Sequence, residues 1–133
     1  MKKVFVNGAF DVLHEGHLDL LDFASLLGGH LRVALDTDRR VEYNKGKGRP
    51  FNLLSTRKYL MSMLKPVDSV VTFDTDEDLT NLIRNYSPDV MVKGSDWKGS
   101  KIIGEEYCKK IVFYERTNGK STTQKIQDFI DRR

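Results

Sequence analysis

The chain has 133 residues, 39% hydrophobic and 31% charged, a balance that excludes a disordered chain and suits one globular domain over residues 1–133. Its 22 Lys and Arg against 19 Asp and Glu leave only +3, too little to mark a general binder of polyanions. The single cysteine, Cys108, excludes an internal disulfide framework, and no apolar run reaches the length of a membrane span. With too few apolar residues at its start for a secretory leader, a cytoplasmic protein is expected, with no membrane partner.

In chain order, Val4-Phe5-Val6 predicts a strand ending at Asn7-Gly8, and the spacing of Leu18, Leu21, Ala24 and Leu27 predicts a helix from His17 to Leu27. Gly28-Gly29 stops that helix, and Leu31 to Leu35 predicts the second strand. Gly46, Gly48 and Pro50 mark a basic loop. Ser55 is positioned to cap the next helix, which Pro66 terminates. Ser69 to Phe73 predicts a strand, Glu77 to Asn85 a helix, and Val90-Met91-Val92 a short buried strand. A short helix within 101–108, a strand from Ile111 to Tyr114 and a last helix capped by Ser121 complete the reading. Alternating helices and apolar strands predict an α/β domain, with a parallel sheet covered on both faces and ligands at the loops after its strands.

Charge is concentrated, not spread. From Arg39 to Lys58 there are seven basic residues and one acidic, a local +6, so the remainder of the chain sums to −3. That pattern points to a small anionic ligand. Nucleic acid is not expected, because no helix-turn-helix, zinc finger or aromatic-basic interleaving accompanies the basic loop.

Two nucleotide motifs fail. The first strand lacks GxGxxG, and Gly119-Lys120-Ser121-Thr122 lacks the earlier glycine of a P-loop, since position 114 is Tyr114. The strongest signal is Asn7 to His17, which sets two glycines and two histidines between the first strand and first helix. Glycine admits a phosphate close to the backbone, and a helix start offers N–H groups and the positive dipole end. Imidazoles there can donate to phosphoryl oxygens. The same spacing also admits capping histidines without chemistry, or zinc ligands completed by Cys108 or His30.

His14-Glu15-Gly16-His17, preceded by Gly8-Ala9-Phe10-Asp11, resembles the signature of the HxGH nucleotidyltransferase, or cytidylyltransferase-like, family, and the likeness extends across nearly the whole chain. The resemblance implies a single Rossmann-like three-layer domain with a mainly parallel five-stranded sheet. It implies transfer of a nucleotidyl group from ATP or CTP to a phosphorylated sugar or polyol, with release of pyrophosphate, Mg²⁺ as cofactor and a homodimer.

By that likeness His14, His17, Lys45 and Arg116 are the catalytic candidates. Gly8, Ala9, Phe10, Lys47, Lys93, Gly94, Asp96, Ser121 and Thr122, with the two histidines, would bind nucleotide. Asp11, Arg57 and Trp97 would face the acceptor, with Asp11 beside the metal. Lys47-Gly48-Arg49-Pro50-Phe51-Asn52 and Val92 to Asp96 look like the heptose-1-phosphate adenylyltransferase branch, which the reading favours. Asp96-Trp97-Lys98-Gly99 and Arg116 to Thr123 are similar to the glycerol-3-phosphate cytidylyltransferase branch. A non-catalytic nucleotide-binding member is the remaining alternative.

Overall fold

Apolar residues recur in five short runs, and each run becomes a strand of one sheet in the computed structural model, which describes residues 1–115. The strands are β1 (Lys3–Gly8), β2 (His30–Asp36), β3 (Ser69–Phe73), β4 (Val90–Gly94) and β5 (Lys110–Tyr114). Their order is β3-β2-β1-β4-β5, with every pairing parallel. Helices α1 (Glu15–Ser25), α2 (Asp38–Lys45), α3 (Leu54–Ser62) and α4 (Asp76–Tyr86) carry the chain between strands.

Alternation along each strand divides the core into two layers. Val4, Val6, Leu31, Val33, Leu35, Val90 and Val92 pack with Leu21 and Ala24 of α1 and Met61 of α3. Phe5, Ala34 and Met91 face the other way, against Leu79, Ile83 and Tyr86 of α4 and Ile102. The sheet is thus covered on both sides, as its near-continuous apolar strands require.

Several predicted boundaries move, each for a physical reason. Helix α1 begins at Glu15, because His14 itself is the N-cap. The stretch between the second strand and the basic loop, for which no element was predicted, contains α2, capped by the Thr37 hydroxyl, which accepts the Arg40 N–H at 3.3 Å. Only Val41 of that helix is buried, so no apolar period announced it. Helix α3 has Leu53, not Ser55, at its N-cap, without a side-chain cap bond of its own. Asp38, sixteen residues back, accepts the Leu54 N–H at 2.8 Å in its place. That helix stops at Ser62, before Pro66, and the region 101–108 forms only a 3₁₀ turn at Glu105–Tyr107. The expected helix from Ser121 lies outside the described residues. Among the described residues, no helix is long and apolar enough to cross a membrane.

The turn into the 3₁₀ segment depends on Gly104, whose φ of +80° lies in the left-handed region. A Cβ there would stand 2.5 Å from Ile83 Cδ1 in the core. Gly104→Ala therefore combines backbone strain with overpacking and is expected to lower stability by roughly 1–3 kcal/mol. Urea denaturation measures it; an unchanged midpoint would contradict this packing.

Candidate active site

Strand order reverses between β1 and β4, because the chain moves outward from β1 to β2 and β3 and then returns to β4 on the other side. Open parallel sheets leave a crevice at such a point, beyond the carboxyl ends of their strands. Here a cleft of about 350 Å³ opens there, and Gly8, Ala9, Phe10, His17, Lys45, Lys93, Gly94, Asp96 and Trp97 all line it. Residues predicted from three separate stretches of sequence thus meet in one place. Asn7, Asp36, Arg40 and Asn44 also line it, and sequence reasoning assigned them no role. Asp36 and Asn7 each lie in the last two residues of a strand, the one signal that was open to use.

The histidines are built into the start of α1. His14 Nδ1 accepts the Gly16 N–H at 3.0 Å, and His17 Nδ1 accepts the His14 N–H at 3.3 Å. This is a capping box with imidazoles in place of the usual hydroxyl and carboxylate. A nitrogen that accepts an N–H carries no proton, so each neutral ring holds its proton on Nε2. The rings stack at 3.9 Å between centroids, and Phe10 meets the His17 ring edge-on at 5.2 Å. Phe10 holds a φ of +47°, costly for a side chain without local hydrogen-bonding capacity.

Asp11 and Arg57 lie behind the cleft, buried. The Asp11 carboxylate, with no accessible side-chain surface, accepts the N–H groups of Phe51 and Asn52 at 2.8 Å each and Arg49 Nε at 3.2 Å. Arg57 donates to the carbonyls of Ala9 (3.0 Å), Asp36 (2.8 Å) and Asn52 (2.9 Å) and to Asp38 Oδ1 (2.8 Å). Both side chains tie the loop before α1 to the entry of α3, and Arg57 adds the end of β2. Neither presents its charge to the cleft. Nor does Asp11 fit a Mg²⁺ ligand: both its oxygens take N–H donors, and a hydrated ion has no access to it. No group of three His, Cys, Asp or Glu able to hold a metal occurs among the described residues.

The basic segment is also more internally engaged than its charge suggested. Arg39 pairs with Asp74, Arg40 with Asp36 at 3.2 Å and Asp76 at 2.8 Å, Arg49 with Asp11, and Arg57 with Asp38. Four of its cations thus meet aspartates outside the segment. Lys47 lies on the exposed turn after α2 and does not line the cleft. Arg116, Ser121 and Thr122 lie outside the described residues.

Lys93 is the buried cation of the cleft, 9% exposed. Its ammonium donates to Asn7 Oδ1 at 2.9 Å and stands 4.9 Å from the centroid of the Trp97 ring. Burial pushes its pKa down to about 8, against the opposing pull of Asp36 and Asp96. Burial likewise raises the Asp36 carboxyl, even with Arg40 beside it. A Cβ on Gly94 would lie 2.6 Å from Asp96 Oδ1, so glycine lets that carboxylate fold back over the strand end.

A lysine with a folded pKa near 8 and an unfolded value near 10.5 opposes folding fully below about pH 8. That opposition fades as pH rises towards 10.5, because the unfolded chain then loses the same proton. Lys93→Met is therefore expected to be more stable at pH 7, by on the order of 1–3 kcal/mol, with the difference shrinking above pH 8. Urea titrations from pH 7 to pH 10 test this; a pH-independent difference would refute it.

The sequence matches the cytidylyltransferase-like family over residues 5–127. Bifunctional protein HldE of Campylobacter fetus is 44% identical over 123 residues, covering 92% of this chain and 27% of the relative. Bifunctional protein HldE of Campylobacter concisus is also 44% identical, over 130 residues, covering 98% of this chain and 27% of the relative. The chain thus spans about a quarter of the length of these curated relatives. Among solved structures, the lipopolysaccharide core biosynthesis protein of Thermoplasma volcanium superposes with a TM-score of 0.73 at 30% identity, covering 87% of this chain and 98% of that one. A protein of unknown function from Archaeoglobus fulgidus shares the fold, with a TM-score of 0.68 at 21% identity over 91% of this chain and 94% of that one. With the family signature at the carboxyl edge of a parallel sheet, and the match running almost end to end, the chain belongs to the cytidylyltransferase-like family.

Proposed function

We propose that the chain is a nucleotidyltransferase that moves a nucleotidyl group from ATP or CTP to a phosphorylated sugar or polyol. The observation that carries this reading is the imidazole capping box, which fixes two Nε2–H donors at the start of α1, beside a cleft that also holds Lys45 and Lys93. An oxygen of the acceptor's phosphate attacks the α-phosphorus in line; the new P–O bond forms as the bond to the β-phosphate bridging oxygen breaks, and pyrophosphate leaves. His14 and His17 donate to the phosphoryl oxygens as their charge redistributes. Lys45 and the exposed Lys47 attend the departing pyrophosphate, and Arg116, Ser121 and Thr122 add phosphate contacts by family resemblance. An acceptor phosphate is already ionised near neutral pH, so no general base is needed.

Asp11 and Arg57 take an organising role in this scheme in place of the acceptor contact expected from sequence, because their polar atoms are engaged within the chain. Trp97, 45% exposed at the cleft mouth, retains the acceptor-facing role. The resemblance to the heptose-1-phosphate adenylyltransferase branch, together with a relative named for lipopolysaccharide core biosynthesis, favours ATP and a sugar 1-phosphate over CTP and glycerol 3-phosphate. A cytoplasmic homodimer accompanies this reading, and sedimentation at several concentrations tests the dimer.

Caps and catalysis are separable by substitution. His14→Asn keeps an N-cap acceptor and His17→Gln keeps the N3 side of a capping box, so each variant is expected to stay within about 1 kcal/mol of the parent in stability. Neither carboxamide holds its N–H donors where the rigid imidazole holds Nε2–H, and each variant is expected to lower turnover by about 10²- to 10⁴-fold. Pyrophosphate release, measured with ATP and CTP against sugar 1-phosphates and glycerol 3-phosphate, gives the readout and the substrate. Near-normal rates in both variants would sink the assignment.

A further inference from the structure

Lys93 stands apart from the other cations around the cleft. The arginines that reach this region are committed to aspartates, whereas the ammonium of Lys93 has a single acceptor, Asn7 Oδ1, and no carboxylate at ion-pair distance among the described residues. An ammonium carries three donors, so two remain without an acceptor on a side chain nine-tenths buried and directed into a cleft. Leaving buried donors unmet beside a charge is costly, and the fold bears that cost at the β1/β4 switch point, where ligands enter open parallel sheets.

We propose that Lys93 is the deep anchor of the cleft for a phosphoryl group, its ammonium turning from the Trp97 face onto a phosphoryl oxygen while Asn7 holds it in place. This rests on the nucleotidyltransferase reading and deepens it. The ligand chemistry is a phosphate ester, which comes either from the nucleotide or from the acceptor. Exposed lysines on a mobile stem suit the pyrophosphate that departs; a buried, immobilised one suits the phosphoryl group that stays. Among the described residues, the charged or titratable groups that line the cleft with it are His17 on α1, Asp36 at the end of β2, Arg40 and Lys45 on α2, and Asp96 after β4. The two aspartates favour its charged form, burial disfavours it, and a phosphate would restore it. Ligand binding therefore takes up a proton at pH above about 8, and affinity falls as pH rises through that range.

The chain's only tryptophan is Trp97, so its fluorescence reports departure of the ammonium from its ring. Three matched pairs serve as probes: AMP with adenosine, CMP with cytidine, and glycerol 3-phosphate with glycerol. In the parent protein the phosphate-bearing member of at least one pair is expected to change Trp97 emission. By calorimetry, Lys93→Met is expected to bind that member roughly 10- to 100-fold more weakly than the parent while binding its phosphate-free partner equally. The pair that responds identifies whether nucleotide or acceptor supplies the phosphate. Calorimetry of the parent in two buffers of different ionisation enthalpy is expected to show net proton uptake at pH 8.5 and none at pH 6.5, on either side of the lysine's value of about 8. Equal affinity of parent and variant for all phosphates overturns the role of Lys93 alone, as does an equal loss for both members of a pair. Failure of every phosphate-bearing probe to bind the parent overturns the nucleotidyltransferase reading as well.

Discussion

The guanidinium of Arg57 is the junction on which the carboxyl edge of the sheet depends. Its donors reach the Ala9 carbonyl in the loop before α1, the Asp36 carbonyl at the end of β2, the Asn52 carbonyl before α3, and the Asp38 carboxylate at the start of α2. Asp11 completes the clasp from the other side by accepting the N–H groups of Phe51 and Asn52. A buried ion pair gains little over apolar residues of the same volume, but one that satisfies several backbone carbonyls fixes a single arrangement of the loops around it. The position of the HxGH segment is thus set from behind, by a stretch forty residues downstream.

With the loops held, the cleft can carry features that the fold alone would not favour. Phe10 keeps a left-handed backbone, Lys93 keeps a buried charge, and Asp36 keeps a partly desolvated carboxylate in the same lining. Each opposes stability on its own, and such features persist only where the surroundings over-determine them. Their clustering at the strand-order switch, and not at the β3 or β5 edges, is the physical signature of a site.

The strands were legible because their apolar residues are contiguous, and the His14–His17 segment because glycines and imidazoles at a strand end have few other uses. Helix α2 was not, since one buried valine gives no period to read. Asp11 and Arg57 were expected to face an acceptor, and the structure finds both buried and hydrogen-bonded within the chain. A charge that organises loops and a charge that meets substrate look alike in sequence; only burial separates them. The basic segment misled for a related reason: its arginines find aspartates as far as 38 positions away, pairings that no local count contains. Lys93 was expected to bind nucleotide, but the shortage of acceptors around it among the described residues belongs to the packed structure alone.

The choice of histidine at the α1 cap is itself informative. Ser, Asp or Asn would satisfy the helix start better, and Glu at the third helical position would complete the usual box. Each of those side chains, however, ends at the atoms that make the cap. Imidazole has two nitrogens on opposite sides of a rigid ring, so accepting a backbone N–H at Nδ1 places a proton on Nε2, facing away from the helix. The same bond that orients the ring also sets its tautomer. A helix start that needed only stability would have no reason to use this residue twice; one that must present two oriented donors to a phosphoryl group has no better option among the common side chains. The helix therefore supplies both the dipole and the scaffold, and the cap ties the tautomer of both rings to the formation of the fold.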